Sequence, residues 1–417
     1  MSNIEEKYIY EEEKPYIEME HKFGCHNYHP LPVVLERGSG VYLYGVDGKR
    51  YYDFLSAYSA VSHGHCHPKI CMAAVEQISK LTLTSRAFYN NQLGKAEKFL
   101  SELLKYDKTL FMNSGAEAVE SAFKIARRWG YVVKKIPNDQ AEIIMCTGNF
   151  HGRTIAIIGT SDDPERNTQF GPFCPGFSMV KYGDIKALEE KFNSNKNICA
   201  FLVEPIQGEA GILIPPPDYL KKCRELCTKH NVLLICDEIQ TGLGRTGKWL
   251  CSEWFGVRPD IVLLGKSLSG GIMPISAVLC DDPIMNVIHP GEHGSTYGGN
   301  PLASVLVITA MTVMKEEKML ENSLKMGELL RNLLSKIQSP LIKEVRGMGL
   351  LSALELKKGG WLFSLISKKH GLLAKPTHES HIRLAPPLII TEEQIKEVAS
   401  IIEVSLKELE QELEKKA

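Results

Sequence analysis

The sequence predicts an α/β protein: a large domain with a mostly parallel sheet flanked by helices, plus a smaller α+β domain made from the N- and C-terminal segments. Three observations carry this reading. Between residues 109 and 280, short runs rich in Val, Ile and Leu alternate with amphipathic helical stretches, the pattern of strands buried on both faces of a parallel sheet. Ahead of that stretch, three strand-like segments follow one another, with a Gly-containing turn at Val46-Asp-Gly48. Beyond it, strands and helices mix without the regular alternation.

In chain order, residues 1–22 are polar and acidic with aromatics interspersed, and read as an arm or short helix lying on a neighbour. After an irregular loop at 25–32, residues 33–40, 41–48 and 49–54 form the expected meander. Helical periodicity begins near Pro68, with Ile70, Ala73, Ala74, Ile78 and Leu81 on one face, and returns at 93–104. Strands are expected at 109–112, 142–146, 200–203, 232–236, 261–264 and 277–280, with helices such as 116–134 and 217–230 between them. A long helix from 303 onward leads to strands 341–345, 350–356 and 382–384 and helices 325–337, 361–370 and 392–413. The expected segments are therefore 1–60 (arm and meander, part of the small domain), 61–315 (large domain) and 316–417 (the rest of the small domain).

Composition narrows the function classes. The chain has 417 residues, 44% hydrophobic and 24% charged, as in ordinary globular proteins. A net charge of −1 gives no basic field, so neither a nucleic acid nor a membrane partner is expected. The eleven cysteines are odd in number and scattered through strand and helix patterns, which points to reduced thiols in a reducing compartment. Residues 1–20 are acidic, the first arginine is Arg37, and no secretory apolar core is present, so no targeting segment is read there. The longest apolar run, 301–314, contains threonines and is too short to span a bilayer. The expected location is the cytoplasm.

Chemistry enters at two strand ends. Asp237 and Lys266 close two of the apolar runs, and parallel α/β sheets place ligands at the carboxyl ends of their strands. A lysine amine can form a Schiff base, and a carboxylate can hold a pyridinium nitrogen protonated; pyridoxal phosphate chemistry needs that pair. A buried ion pair, or two solvated strand ends, would account for the same two residues more plainly. Asn113-Ser-Gly-Ala-Glu-Ala118 lies between a strand and a strongly helical run, where backbone N–H groups and the helix dipole favour an anion, although Ser114 with Glu117 also reads as an ordinary helix cap. The loop from Ser295 offers hydroxyls and glycines for a second phosphate contact. In Gly148-Asn-Phe-His-Gly-Arg153, Phe150 could stack on a planar ring or simply fill core, and His151 or Arg153 could meet the ring or a carboxylate. Glu204 and Glu209 follow a strand and could edge the same crevice, and Arg383 sits inside an apolar strand, where a guanidinium wants a carboxylate.

Two patterns are set aside. Gly242-Leu-Gly-Arg-Thr-Gly247 spells G-x-G-x-x-G, but Asp237 to Thr241 separate it from the strand and no strong helix follows, so a dinucleotide site is not expected. His63-Gly-His-Cys-His67 and the Cys223, Cys227, His230 series lack zinc-site pairing and read as structural; no metal is expected.

Taken together, these stretches resemble the fold-type I, pyridoxal-phosphate-dependent ω-aminotransferases of class III, over nearly the whole chain from Gly24 to Thr391. The segments Leu83-Thr-Ser-Arg-Ala-Phe-Tyr-Asn-Asn91, Val203-Glu-Pro-Ile-Gln-Gly-Glu-Ala-Gly211, Asp237-Glu-Ile-Gln-Thr-Gly242 and Pro290-Gly-Glu-His-Gly-Ser-Thr-Tyr-Gly-Gly-Asn-Pro301 carry much of the likeness, which is closest to the branch acting on ornithine. The resemblance implies pyridoxal 5'-phosphate as cofactor, ornithine and 2-oxoglutarate as substrates, and a homodimer with a shared active site. It implies that Lys266 is the Schiff-base lysine and proton shuttle, that Asp237 pairs with the pyridine nitrogen and Gln240 with the ring hydroxyl, and that Phe150 stacks on the ring. Gly115 and Ala116 would bind phosphate through their backbone, and Thr296, next to Ser295, would reach the phosphate of the other subunit. Tyr28 and Arg153 would hold ornithine's α-carboxylate, and Tyr58 would favour ornithine over other ω-amines. Arg383 would clamp the α-carboxylate of glutamate or 2-oxoglutarate, with Glu209 as its internal partner. One departure is His151, where an aromatic such as tryptophan is expected in animal relatives. Acetylornithine, 4-aminobutyrate or lysine ω-aminotransferases are the nearest alternatives; an aminomutase or a non-catalytic binding protein on the same scaffold is more distant.

Overall fold

The computed structural model describes residues 5–415 and divides into two compact units, Met1–His67 with Glu321–Ala417 and Pro68–Leu320. The sequence reading put the first boundary at 60/61, but residues 61–67 stay with the first unit. Gly40 and His65 exchange backbone hydrogen bonds of 3.0 and 2.8 Å, and Leu388 donates to the Ser62 carbonyl at 2.7 Å. The second boundary moves from 315/316 to 320/321, because the helix Pro301–Glu316 packs along the helix Pro68–Ile78 and ends in a Lys69–Glu316 ion pair of 2.8 Å.

The first unit opens with strands β1 (Leu35–Ser39), β2 (Tyr42–Gly45) and β3 (Arg50–Asp53), an antiparallel meander closed by a turn in which Gly48 donates to the Gly45 carbonyl. The N-terminal arm runs ahead of it. Glu5 and Glu13 are buried within their own unit, whereas the helix Lys14–Phe23 buries none of its side chains and exposes Tyr16, Met19 and Phe23.

The second unit is built on seven strands: β4 (Lys108–Met112), β5 (Glu142–Cys146), β6 (Phe177–Val180), β7 (Ile198–Val203), β8 (Leu233–Asp237), β9 (Ile261–Leu264) and β10 (Ser276–Cys280). Their order is β4-β10-β9-β8-β7-β5-β6. β10 runs antiparallel to both neighbours; β9, β8, β7, β5 and β6 pair in parallel. Alternate residues feed two cores. Ile143, Ala200, Leu202, Ile235 and Leu263 meet the helix Gly115–Val132 through Ala118, Ala122, Ile125 and Trp129. Ile144, Phe201, Val203, Leu234 and Cys236 meet Leu188 and Phe192 of the helix Ile185–Ser194 and Leu220, Cys223 and Cys227 of the helix Tyr219–Lys229. Each such aliphatic side chain contributes about 1.5–3 kcal/mol on burial. Cys223 and Cys227 are thus core residues whose thiols burial pushes well above their ordinary value.

The chain then returns to the first unit with β11 (Ile342–Met348), β12 (Leu351–Leu356), β13 (Leu372–Leu373), β14 (Pro376–Thr377) and β15 (His381–Leu384). β11-β12-β15-β14 form an antiparallel sheet, and β13 joins β3 in parallel. The helices Gly360–Lys369 and Glu392–Glu414 pack on each other. Among the described residues, no helix is long and apolar enough to cross a membrane.

Candidate active site

β8 ends on Asp237, and β9 ends two residues before Lys266; the two strands lie side by side in parallel. Their carboxyl ends, the end of β7 and the loop after β5 surround a cavity of about 200 Å³. Gly115, Ala116, Phe150, Glu209, Asp237, Gln240 and Lys266, all expected at the site, line it together. So do His151, Glu204, Ile206 and Ile239.

The wall at Gly115 is a helix start. Ser114 caps it, with its hydroxyl accepting from Glu117 N at 3.2 Å and its own N–H donating to the Glu117 carboxylate at 2.8 Å. The cap and the anion site are therefore compatible. First-turn N–H groups such as those of Gly115 and Ala116 have no carbonyl four residues back to bond, and the positive end of the dipole lies with them. Opposite, Lys266 breaks out of β9 with φ +46° after an extended Gly265, a left-handed conformation that is uncommon for any residue but glycine.

Asp237 is buried at the cavity wall. One carboxylate oxygen accepts from Ile239 N at 3.1 Å, and the other contacts His151 Nδ1 at 2.7 Å. Burial pulls the His151 imidazole down, but the hydrogen bond and charge of Asp237 outweigh it and hold the ring above its ordinary value. His151 Nε2 is buried with no protein partner, as is Gln240 Oε1. Gln240 donates to Glu209 at 3.3 Å beside Gly208, where a Cβ would stand 1.5 Å from the Gln240 carbonyl oxygen and push that side chain aside.

Glu204 accepts from Phe150 N at 3.2 Å and is buried beside the ion pair. Burial pushes its carboxyl up to about 7; His151 opposes this and Asp237 adds to it. Because the folded pKa is raised, the stability this group contributes is complete below the unfolded value of 4.5 and is lost as pH rises through about 7. Glu204→Gln keeps an acceptor for Phe150 and cannot ionise. We expect its Tm to match the wild type near pH 5 and to exceed it near pH 8, measured by thermal unfolding of the cofactor-free protein. An equal difference at both pH values would refute the buried charge.

Other expected residues are placed as follows. The Arg153 guanidinium lies 5.7 Å from the Phe150 ring centre and is exposed. Arg166, which the sequence reading missed, lies closer at 5.0 Å and donates to the Asn149 carbonyl at 2.9 Å. No pattern flagged it, since it arrives from a short helix 16 residues beyond Phe150. Ser295 Oγ accepts from Asn113 Nδ2 at 2.9 Å and Thr296 is exposed; neither lines the cavity. In the first unit, Tyr28 is exposed, and Arg383 on β15 is buried with its guanidinium carbon 5.2 Å from the Tyr58 ring centre. Of the set-aside histidines, His65 bonds Asp53 at 2.7 Å.

The profile of the family described as Aminotransferase class-III matches residues 23–406. The chain belongs to the class-III aminotransferases. This aminotransferase is 56% identical to the mitochondrial ornithine aminotransferase of Rattus norvegicus over 92% of the chain and 88% of that relative. The crystal structure of the ornithine aminotransferase from Toxoplasma gondii superposes with a TM-score of 0.95 at 44% identity, covering 99% of this chain and 100% of that one. The acetylornithine aminotransferase of Elizabethkingia anophelis gives 0.88 at 51% identity over 96% and 100%. The fold is that of the pyridoxal-phosphate-dependent aminotransferases, and the cofactor of this aminotransferase is pyridoxal phosphate. The cavity fits it: an amine for the aldehyde, an anion seat at the helix start, a carboxylate for the ring nitrogen, an aromatic wall, and an unpartnered Gln240 oxygen for a ring hydroxyl.

Proposed function

We propose that the chain transfers the δ-amino group of L-ornithine to 2-oxoglutarate, giving L-glutamate 5-semialdehyde and L-glutamate. The observation that carries this is the convergence of Lys266, Asp237 and the Gly115 helix start on one cavity, in a chain whose relatives named ornithine aminotransferase span nearly its whole length. Pyridoxal phosphate, when bound, supplies an aldehyde that condenses with amines and a ring that takes up electrons when a C–H bond breaks. Lys266 would hold that aldehyde through its amine and would serve as the base that moves the proton at Cδ of ornithine. Asp237, in contact with His151 Nδ1 at 2.7 Å, would hold the proton on the ring nitrogen. Phe150 and Gln240 fix the ring's plane and rotation, and the N–H groups of Gly115 and Ala116 seat the phosphate. Tyr28 and Arg153 take ornithine's carboxylate, Tyr58 selects for ornithine, and Arg383 takes the carboxylates of glutamate and 2-oxoglutarate. Glu209 is the acidic group that decides between the two half-reactions.

A homodimer completes this reading, with Thr296, beside Ser295, serving the phosphate of the partner. Its support is an uncovered apolar surface: Met72, Val75 and Ile78 recur every third residue on the helix Pro68–Ile78 and are 68%, 69% and 54% exposed, with Phe88 and Tyr89 also exposed. We place the protein in the cytoplasm, a reducing compartment that suits eleven free cysteines. An acetylornithine activity is the second reading, favoured by the Elizabethkingia anophelis likeness. A coupled assay decides: semialdehyde should form from ornithine with 2-oxoglutarate, at a kcat/KM about 10-fold or more above that with N-acetylornithine, since N-acetylation removes the charged α-amine at the end that Tyr28, Arg153 and Tyr58 are proposed to read. The reverse order would overturn the proposal in favour of acetylornithine.

A further inference from the structure

Ser56, Ala57, Tyr58 and Ser59 have φ of +48°, +48°, +59° and +74°. None is glycine. Left-handed residues ordinarily occur singly, and a run of them persists only where the surroundings over-determine it; such places cluster at ligand clamps and switch regions. The surroundings here are specific. Asp53, buried at the end of β3, accepts from Leu55 N at 3.0 Å and Ser56 N at 2.7 Å through one oxygen, and its other oxygen contacts His65 Nε2 at 2.7 Å. On either side of the turn the loop is clipped to the chain after Arg383: Ala385 N donates to the Phe54 carbonyl at 2.8 Å and Leu388 N to the Ser62 carbonyl at 2.7 Å. Between the clips, the Tyr58 ring meets the buried Arg383 guanidinium at 5.2 Å. Ser56 Oγ and Ser59 Oγ, flanking it, are buried without protein partners.

We propose that Asp53 and His65 are positioning residues for Tyr58 and Arg383: they hold the left-handed turn that sets the ring against the guanidinium, and so govern which amino donor is accepted. This rests on the roles of Tyr58 and Arg383 proposed above. Asp53 and His65 act through the turn, so their loss changes selectivity, whereas a merely structural anchor would change only Tm. Displacing a positioned side chain by about 1 Å can cost up to about 100-fold.

The test uses holoenzyme variants H65A, D53A, D53N and Y58A and the double variant H65A/Y58A, with kcat and KM for ornithine and 4-aminobutyrate. H65A and D53A should lower the ornithine to 4-aminobutyrate kcat/KM ratio by about 10-fold or more. D53N, which keeps an acceptor for Leu55 and Ser56 N–H, should retain most of it. H65A should change the ratio less than about twofold in the Y58A background, because the pair works through that ring. Unchanged ratios in H65A and D53A, or an undiminished effect without Tyr58, would overturn the proposal. A ¹⁹F label on Tyr58 gives a readout that needs no substrate: its resonance should move in H65A, and an unmoved resonance counts against the positioning. A wild type that ignores ornithine would sink the function proposed above and leave the ¹⁹F readout to decide this one.

Discussion

Lys266→Ala should lower turnover of ornithine with 2-oxoglutarate by about 10⁴-fold or more. Two losses combine in one substitution. In the roles proposed for Lys266, the amine that would hold the cofactor aldehyde disappears, and so does the base that would move the Cδ proton, a role that alone is worth about 10²–10⁴-fold. Among the described residues Lys266 is the only lysine lining the cavity, so no described neighbour stands ready to replace it. Its left-handed backbone, at φ +46°, sends the chain sharply out of β9 at the strand end. Borohydride treatment followed by peptide mass analysis separates this from a folding defect. The cofactor mass should be found on Lys266 in the wild type and on no lysine in the variant, while the variant keeps the wild-type Tm of the cofactor-free protein. Cofactor fixed to a different lysine of an active K266A enzyme would refute the assignment.

The strand ends were legible because burial and chain direction are written locally. A run such as Leu233–Asp237 is apolar until its last residue, and the sheet rule then says which end matters. The edge strand Phe177–Val180 escaped for the converse reason: it is four residues long and only half-buried, so its apolar signal is weak. Periodicity reports that a side chain is inside, not what it meets there. Thus Glu204 was visible as a strand-end carboxylate, but its place beside His151 and its raised proton affinity come from loops brought together by the fold. The turn at Ser56–Ser59 was invisible because it contains no glycine; nothing in Ser-Ala-Tyr-Ser announces four left-handed residues when the forces that impose them come from Asp53 and from residues after Arg383.

The buried pair Glu13 and Lys368, far apart in the chain, predicts the largest change in stability. Glu13 is fully buried, and Lys368 is 1% exposed. The Lys368 ammonium contacts both Glu13 carboxylate oxygens at 3.2 and 3.1 Å, the Tyr8 carbonyl at 2.7 Å and the Pro32 carbonyl. Glu13 also accepts from Tyr10 N at 2.8 Å and Val34 N at 3.3 Å. Burial lowers the proton affinity of Lys368, and Glu13 opposes that shift, so each charge is tolerable only with the other present. Lys368→Met should therefore cost about 3–5 kcal/mol, the penalty for leaving one member of a buried pair uncompensated. For a unit of this size that lowers the Tm of its transition by roughly 6–20 °C. The double variant E13L/K368M removes both charges and should recover much of the loss, since apolar replacement of a buried pair is often neutral. It will not recover all of it, because Tyr10 N and Val34 N lose their acceptor. The pair ties the arm to the helix Gly360–Lys369, so K368M should also be cut by trypsin after Lys22 sooner than the wild type. A loss below about 1 kcal/mol in the single variant, or a double variant no more stable than the single, would mean that the arm is held by its other contacts, the Glu5 carboxylate on His29 at 2.7 Å and on Trp361 at 3.0 Å among them.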